Sequence, residues 1–311
     1  MNISSNLLLN KQDLENSCFT SLDKVFKLVF SLHKENHDLL IVFVLLSAML
    51  SVFTCFGNTV VLLAYVKSPQ LCKKLSSIFV INLAVADWLI GVFVHPLLMI
   101  FFIQTINGDS SCTLPLLLVL VIPIFMMVSL FSVVGATAER FLAIVFPLYH
   151  KTDLTKTRLR MFVLLSWAYA VSWILILFLS KENLKIYVNL NGVLPIIMTT
   201  FVIILWFQIF VAMKGQSVVG NSRSSIHRGT ILHYRQRSER KTAKAFLMAT
   251  LNLYVSSSPL LIALFSGLND VVYLTCLLEI MLLSSVINPI IYGLENTAVR
   301  NAIKKELLCE N

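Results

Sequence analysis

Residues Ile78–Phe102 read IFVINLAVADWLIGVFVHPLLMIFF, an apolar run that holds one acid, Asp87, and one histidine, His95. About 20 residues of helix cross a hydrocarbon core of about 30 Å, so this run is long enough to span a membrane. Lipid offers no partners for backbone amides, so the run must be a helix. A carboxylate at that depth costs about 3 kcal/mol on insertion scales and is read as functional by default.

The rest of the chain agrees with a membrane reading. Of 311 residues, 57% are hydrophobic and 13% charged, with a mean hydropathy of +0.82. Those values belong to a polytopic membrane protein rather than to soluble domains. Seven spans are expected: Leu39–Val66, Ser76–Gln104, Cys112–Val145, Leu159–Ser180, Leu184–Met213, Thr242–Phe265 and Val271–Tyr292. With the N-terminus outside, eighteen of the 25 Lys and Arg fall on inner segments and six on outer ones, as the positive-inside rule requires. The expected fold is therefore an all-α membrane protein, a seven-transmembrane helix bundle with a short amphipathic eighth helix. Its parts are an outer tail over 1–38, the helical domain over 39–293, and an inner helix and tail over 294–311.

The net charge of +9 reports topology and attraction to anionic lipid of the inner leaflet; nucleic acid is not an expected partner. Lys11, Asp13 and Glu15 precede any long apolar stretch, so the first 38 residues lack the shape of a signal peptide. Asn2-Ile3-Ser4 is a glycosylation sequon on that tail. Among six cysteines, Cys55 and Cys276 lie within spans and Cys72 inside, which leaves Cys18 and Cys112 as the outward pair, bridged or free. No zinc-type spacing and no Ser, His and acid set occurs, so neither an enzyme nor a resident cofactor is expected. A transporter is the rival class, but no internal repeat is visible.

Other spans carry Gly57-Asn58, Glu139-Arg140-Phe141, Trp167, and Asn288-Pro289-Ile290-Ile291-Tyr292. Together with Leu83-Ala84-Val85-Ala86-Asp87, in that order, they resemble the rhodopsin-like family of G-protein-coupled receptors, from Leu39 to Leu308. The resemblance implies that Arg140 is held by Glu139 when inactive and faces a heterotrimeric G protein when active. Glu239, twenty residues before Pro259, stands where a second acid partner is expected; the other reading is an ordinary charge within a basic run. Asp87, with Ser129, Ser284, Ser285 and Asn288, resembles the family's sodium site, the alternative being a hydrogen-bonded structural acid. Pro289 and Pro259 interrupt helix ladders and suggest activation hinges, with Asn288 and Tyr292 flanking the first.

The pattern also departs from the family. Val255-Ser256-Ser257-Ser258-Pro259 lacks the usual tryptophan, and Ile203 replaces the late tyrosine of the fifth helix. The loop after the fourth span is about Lys181 to Lys185 and has no cysteine, so the family's common disulfide cannot form. Short cysteine-free loops of this kind are shared with the melanocortin, cannabinoid and lysophospholipid receptors. Ile122 stands where amine receptors carry aspartate and Leu282 where visual pigments carry lysine, which disfavours both ligand classes.

Positions that line the family's ligand pocket read Ile122, Met126, Tyr187, Leu260, Leu261, Leu278 and Leu282, with His95 and Glu279 adding polar contacts. Such a lining suits a lipophilic extracellular ligand, or else these are packing residues of a narrow bundle. The inner segment Lys214–Lys244 offers Ser217, Ser222, Ser224, Ser225 and Ser238 for phosphorylation and arrestin recruitment. Cys309, behind Lys304 and Lys305, is a palmitoylation site in this reading. The expected protein is a plasma-membrane receptor transmitting an extracellular signal to G proteins. Peptide activation, constitutive activity and a non-signalling form are the variants, since the toggle residue is missing.

Overall fold

The computed structural model describes residues 37–108, 113–179, 184–220, 226–266, 271–295 and 299–303. The elements in order are α1 (His37–Lys67), α2 (Pro69–Cys72), α3 (Ser77–Leu89), a π turn (Ile90–Val94), α4 (His95–Ile106), α5 (Thr113–Val145), α6 (Pro147–Thr152), α7 (Lys156–Leu179), α8 (Leu184–Gly220), α9 (Ile226–Phe265) and α10 (Val271–Glu295). Residues 299–303 are also helical, with Val299 buried against the core. Six helices among the described residues are long and apolar enough to cross a membrane.

Local chemistry explains the interruptions. Pro69 and Pro147 open α2 and α6 at the first helical position, where a missing N–H costs nothing. Gly108 follows α4 at φ 74°, a left-handed conformation that suits glycine. Pro96 cannot donate to Val92 and its ring crowds that carbonyl, so the ladder ahead of it widens and the His95 amide donates to Ile90 instead. The widening leaves Gly91 O able to accept the Ser51 hydroxyl at 2.8 Å.

α5 is the central element and packs on α3, α7, α8 and α9, while α1 packs on α3, α4 and α10, and α9 pairs with α10. The core of one end gathers Phe79, Val80, Leu83, Val128, Val133, Ala249 and Tyr292. That of the other gathers Leu40, Phe43, Ile90, Val94, Leu98, Phe102 and Leu282. Gly135 lets α5 approach α3 and α7: a Cβ there would lie 2.7 Å from Phe79 Cζ and 2.9 Å from Phe162 Cε1. Large apolar side chains such as Phe53, Phe56, Leu165, Phe207 and Val255 face outward, an arrangement that water would penalise and lipid accepts. The spanning window of α8 is only 17% buried against 50% in α10, so α8 is the lipid-facing flank and α10 an inner member.

Two boundaries differ from expectation. α8 runs to Gly220 and α9 begins at Ile226, sixteen residues before Thr242, so the basic run Arg235–Lys244 is helical rather than loop. The Lys, Arg, Gln and Glu of that run are good helix formers, and a helix that has left lipid can continue on propensity alone.

Candidate functional site

Polar side chains are sparse in this bundle, and the described ones gather at three levels along it. At one end of α5, Glu139 is 1% exposed and accepts two bonds from Arg140, from Nε to Oε2 and from Nη2 to Oε1, each 2.5 Å. The fork geometry fixes the guanidinium plane. His150 Nε2 lies 2.7 Å from Glu139 Oε1. It is carried there by α6, which Pro147 starts two residues beyond Val145, the last of α5. The sequence reading omitted His150; the signal was a Pro-initiated turn with a histidine eleven residues after the acid. A shallow crevice at this end is lined by Tyr65, Lys74, Ser76, Phe246 and Tyr292.

The middle level is built on Asp87. Asn288 Nδ2 donates to Asp87 Oδ2 at 2.8 Å, and the hydroxyls of Ser129 and Ser285 face the same carboxylate. Asn252 on α9 donates from Nδ2 to Asn288 Oδ1 at 3.1 Å and to Ser284 O at 3.0 Å. Asn58 on α1 donates to Ser285 O at 3.1 Å and to Thr54 O at 2.9 Å. Beside this network Trp167 Nε1 donates to Asn82 Oδ1 at 2.9 Å, and Asn82 Nδ2 donates to Ser132 Oγ at 2.7 Å, tying α7, α3 and α5. Asn252 and Asn82 were not singled out from sequence; a buried amide on an apolar helix face was their only signal.

The expected sodium set is partly assembled. Asp87, Ser129 and Ser285 converge, and Ser129 Oγ is buried with no hydrogen-bond partner. The Ser284 hydroxyl donates to Met281 O at 2.7 Å, which engages its proton and leaves its oxygen lone pairs. Asn288 turns its NH₂ to Asp87 and its oxygen to Asn252, so its amide oxygen faces away. One carboxylate and hydroxyl oxygens suit a hard monovalent cation, and the unpartnered Ser129 hydroxyl supplies an available ligand.

At the third level Ser47 Oγ on α1 donates to Glu279 Oε1 on α10 at 2.6 Å. Glu279 Oε2 and both ring nitrogens of His95 are buried without hydrogen-bond partners. Around them Ile122, Met126, Leu260, Leu278 and Leu282 pack into one apolar cluster; Leu261 is half-buried outside it. These expected positions thus give this level of the bundle an apolar lining. Pro259 and Pro289 sit within continuous helices, and Pro289 packs on Gly57, where a Cβ would lie 3.2 Å from Pro289 Cγ. The Ser256 hydroxyl donates within its own helix to Asn252 O and that of Ser257 to Leu253 O. Tyr187 and Glu239 lie on α8 and α9, but their side chains fall outside the described residues, as do Asn2, Cys18, Cys112 and Cys309.

The comparisons bear on this geometry. The model of the "7 transmembrane receptor (rhodopsin family)" matches residues 57–292. Trace amine-associated receptor 13c of Danio rerio is 28% identical over 293 residues, 82% of each chain. Cannabinoid receptor type 1B of Takifugu rubripes is 26% identical, over 84% of this chain and 62% of that protein. The crystal structure of squid rhodopsin shares the fold at a TM-score of 0.75 and 15% identity, over 88% of this chain and 86% of that one. The protein is therefore a multi-pass receptor for an extracellular ligand, signalling through G proteins and not an enzyme. The chain belongs to the seven-transmembrane receptors of the rhodopsin family.

Proposed function

We propose that this receptor lies in the plasma membrane with its N-terminus outside, spans the bilayer seven times with α7 as the fourth crossing, and ends in an amphipathic helix beyond α10. A lipophilic ligand entering from outside shifts the population toward a state in which the inner helix ends separate and Arg140 meets the G protein. The observation that carries this reading is the buried Glu139–Arg140 pair with His150. Glu139 and Arg140 share α5, while His150 comes from α6, so a shift of α6 that removes His150 reshapes the pair and lets Arg140 turn toward a partner. Glu239 is assigned as a second carboxylate for Arg140, and Pro259 and Asn288 to Tyr292 as the segments that bend.

Asp87, Ser129 and Ser285 are assigned to hold a sodium ion, which supplies positive charge to a buried carboxylate and favours the closed bundle. The apolar cluster that contains Ile122, Met126, Leu260, Leu278 and Leu282 supports the lipophilic ligand. Phosphorylation of the serines between Lys214 and Lys244 recruits arrestin, Asn2 is glycosylated, and Cys309 is palmitoylated into the membrane; mass spectrometry of receptor purified from cells reads all three modifications, and their absence removes each assignment separately.

The test is activation of all four G-protein classes in cells expressing wild type or Arg140→Ala, basally and with lipid, nucleoside and peptide panels. A signal present in wild type and lost in an equally expressed Arg140→Ala supports the reading. Equal signalling by both overturns it, and a high basal signal identifies a constitutively active receptor.

A further inference from the structure

We infer that the outward face of α8 pairs with the same face of a second copy of this chain, the two held together by a hydrogen-bonded pair of Gln208 side chains. α8 buries Val202, Leu205 and Ile209 and leaves Ile197, Phe201, Ile204, Gln208 and Val211 exposed. Those five exposed positions are spaced by four, three, four and three residues, so they form one seam that can face a partner helix over successive turns. The seam runs about 21 Å along the axis and lies inside the apolar window Val193–Lys214. Left-handed packing along such seams is the common arrangement of helices within membranes. The inference depends on α8 crossing the bilayer and on neither ligand nor signalling.

Lipid suits the four apolar members of the seam and does not suit the fifth. Hydrocarbon offers an amide nothing to bond to, and leaving it unbonded there is costly. Among the described residues Gln208 has no hydrogen-bond partner. It stands about 9 Å along the axis inside Lys214, whose ammonium lies over the Phe210 ring at 4.6 Å. Helical side chains lean toward their own N-terminus, so the amide leans away from that charged end and further into the apolar window. A carboxamide both donates and accepts, which makes a second carboxamide at the same depth its complement. Two copies in one bilayer share one orientation, and a twofold axis along the membrane normal sets each seam residue opposite itself. Gln208 then meets Gln208, each Nε2 donating to the other's Oε1, with Ile204 and Val211 packed on either side. Ile203 and Phe210, also exposed, lie off the seam and stay in lipid.

The experiment uses the full-length receptor in membranes of expressing cells, oxidised with copper phenanthroline after single cysteines are introduced on α8; wild type gives the background from the native cysteines. Ile204→Cys and Val211→Cys, on the seam, are expected to give disulfide-linked dimer above wild type. Ile203→Cys and Phe210→Cys, each about 100° around the helix from its seam neighbour, are expected to give none. At an expression level where a minority of the receptor is linked, Gln208→Leu added to Ile204→Cys is expected to lower the yield of dimer about fivefold, the loss typical of one interhelical polar contact in a membrane. Leucine suits the lipid that a lone Gln208 faces, so this variant keeps its fold, and the cysteine pattern needs no change at Gln208. No linkage above wild type, equal linkage on and off the seam, or an undiminished yield with Gln208→Leu overturns the inference. Seam-specific linkage with no G-protein activation upholds the pairing and defeats the receptor reading, whereas activation without linkage does the converse.

Discussion

Asp87 has one side chain and several neighbours, and their chemistry sets what can be asked of it. Its carboxylate takes a bond from Asn288 while Ser129 Oγ beside it stays unpartnered. If sodium binds there and stabilises the closed bundle, agonist affinity falls several-fold between sodium-free choline buffer and physiological salt. Asp87→Asn, which removes the charge but keeps the shape, flattens that dependence. Radioligand competition in both buffers checks it, and an undiminished sodium effect in Asp87→Asn removes the ion from this position. At this scale the sequence was legible where a charge stood in an apolar run, as at Asp87, Glu139 and Arg140. It was silent on Asn252, Asn82 and His150, whose types are common and whose role depends on which helix faces them. Ser284 shows what spacing leaves open: a serine in a helix can donate to its own backbone, and this one does, which spacing does not report.

Between elements, the pairing of α9 with α10 is fastened by Asn252, which reaches both Asn288 and Ser284 O. α9 makes far less contact with α8, so its hold on α10 governs how readily its inner end moves. Removing two net hydrogen bonds of about 1 kcal/mol each weakens the closed arrangement. Asn252→Leu is therefore expected to raise basal G-protein activation by about tenfold or more, while Ser256→Ala, which removes only an intrahelical bond, leaves it unchanged. A basal assay normalised to surface expression decides, and equal activity in both variants sinks the claim. The helices themselves were legible from hydropathy within two or three residues at most ends, because lipid forces the backbone to bond internally. Their extensions beyond the apolar spans were not, since hydropathy stops reporting where the lipid stops, although the helical propensity of Arg235–Lys244 continues.

For the molecule as a whole, the outward ring of Phe53, Phe56, Leu165 and Phe207 demands lipid, and the positive-inside rule expects the end rich in lysine and arginine to face the cytosol. An epitope added before Met1 is expected to stain intact cells, and one added after Asn311 to stain only after permeabilisation; the opposite pattern reverses the topology. The receptor family was readable because its motifs occur in a fixed order, whereas the ligand was not, since the expected pocket positions are ordinary apolar residues whose use depends on packing. The wide turn at Ile90–Val94 carries a consequence for every comparison by position. One extra residue in a turn rotates all later side chains by about 100° around the helix axis. Relatives without a proline at the place of Pro96 must therefore be aligned with a one-residue gap there. Otherwise the wall that His95, Leu98 and Phe102 present to the interior is assigned to neighbours that point at lipid, and a ligand is docked against the wrong face.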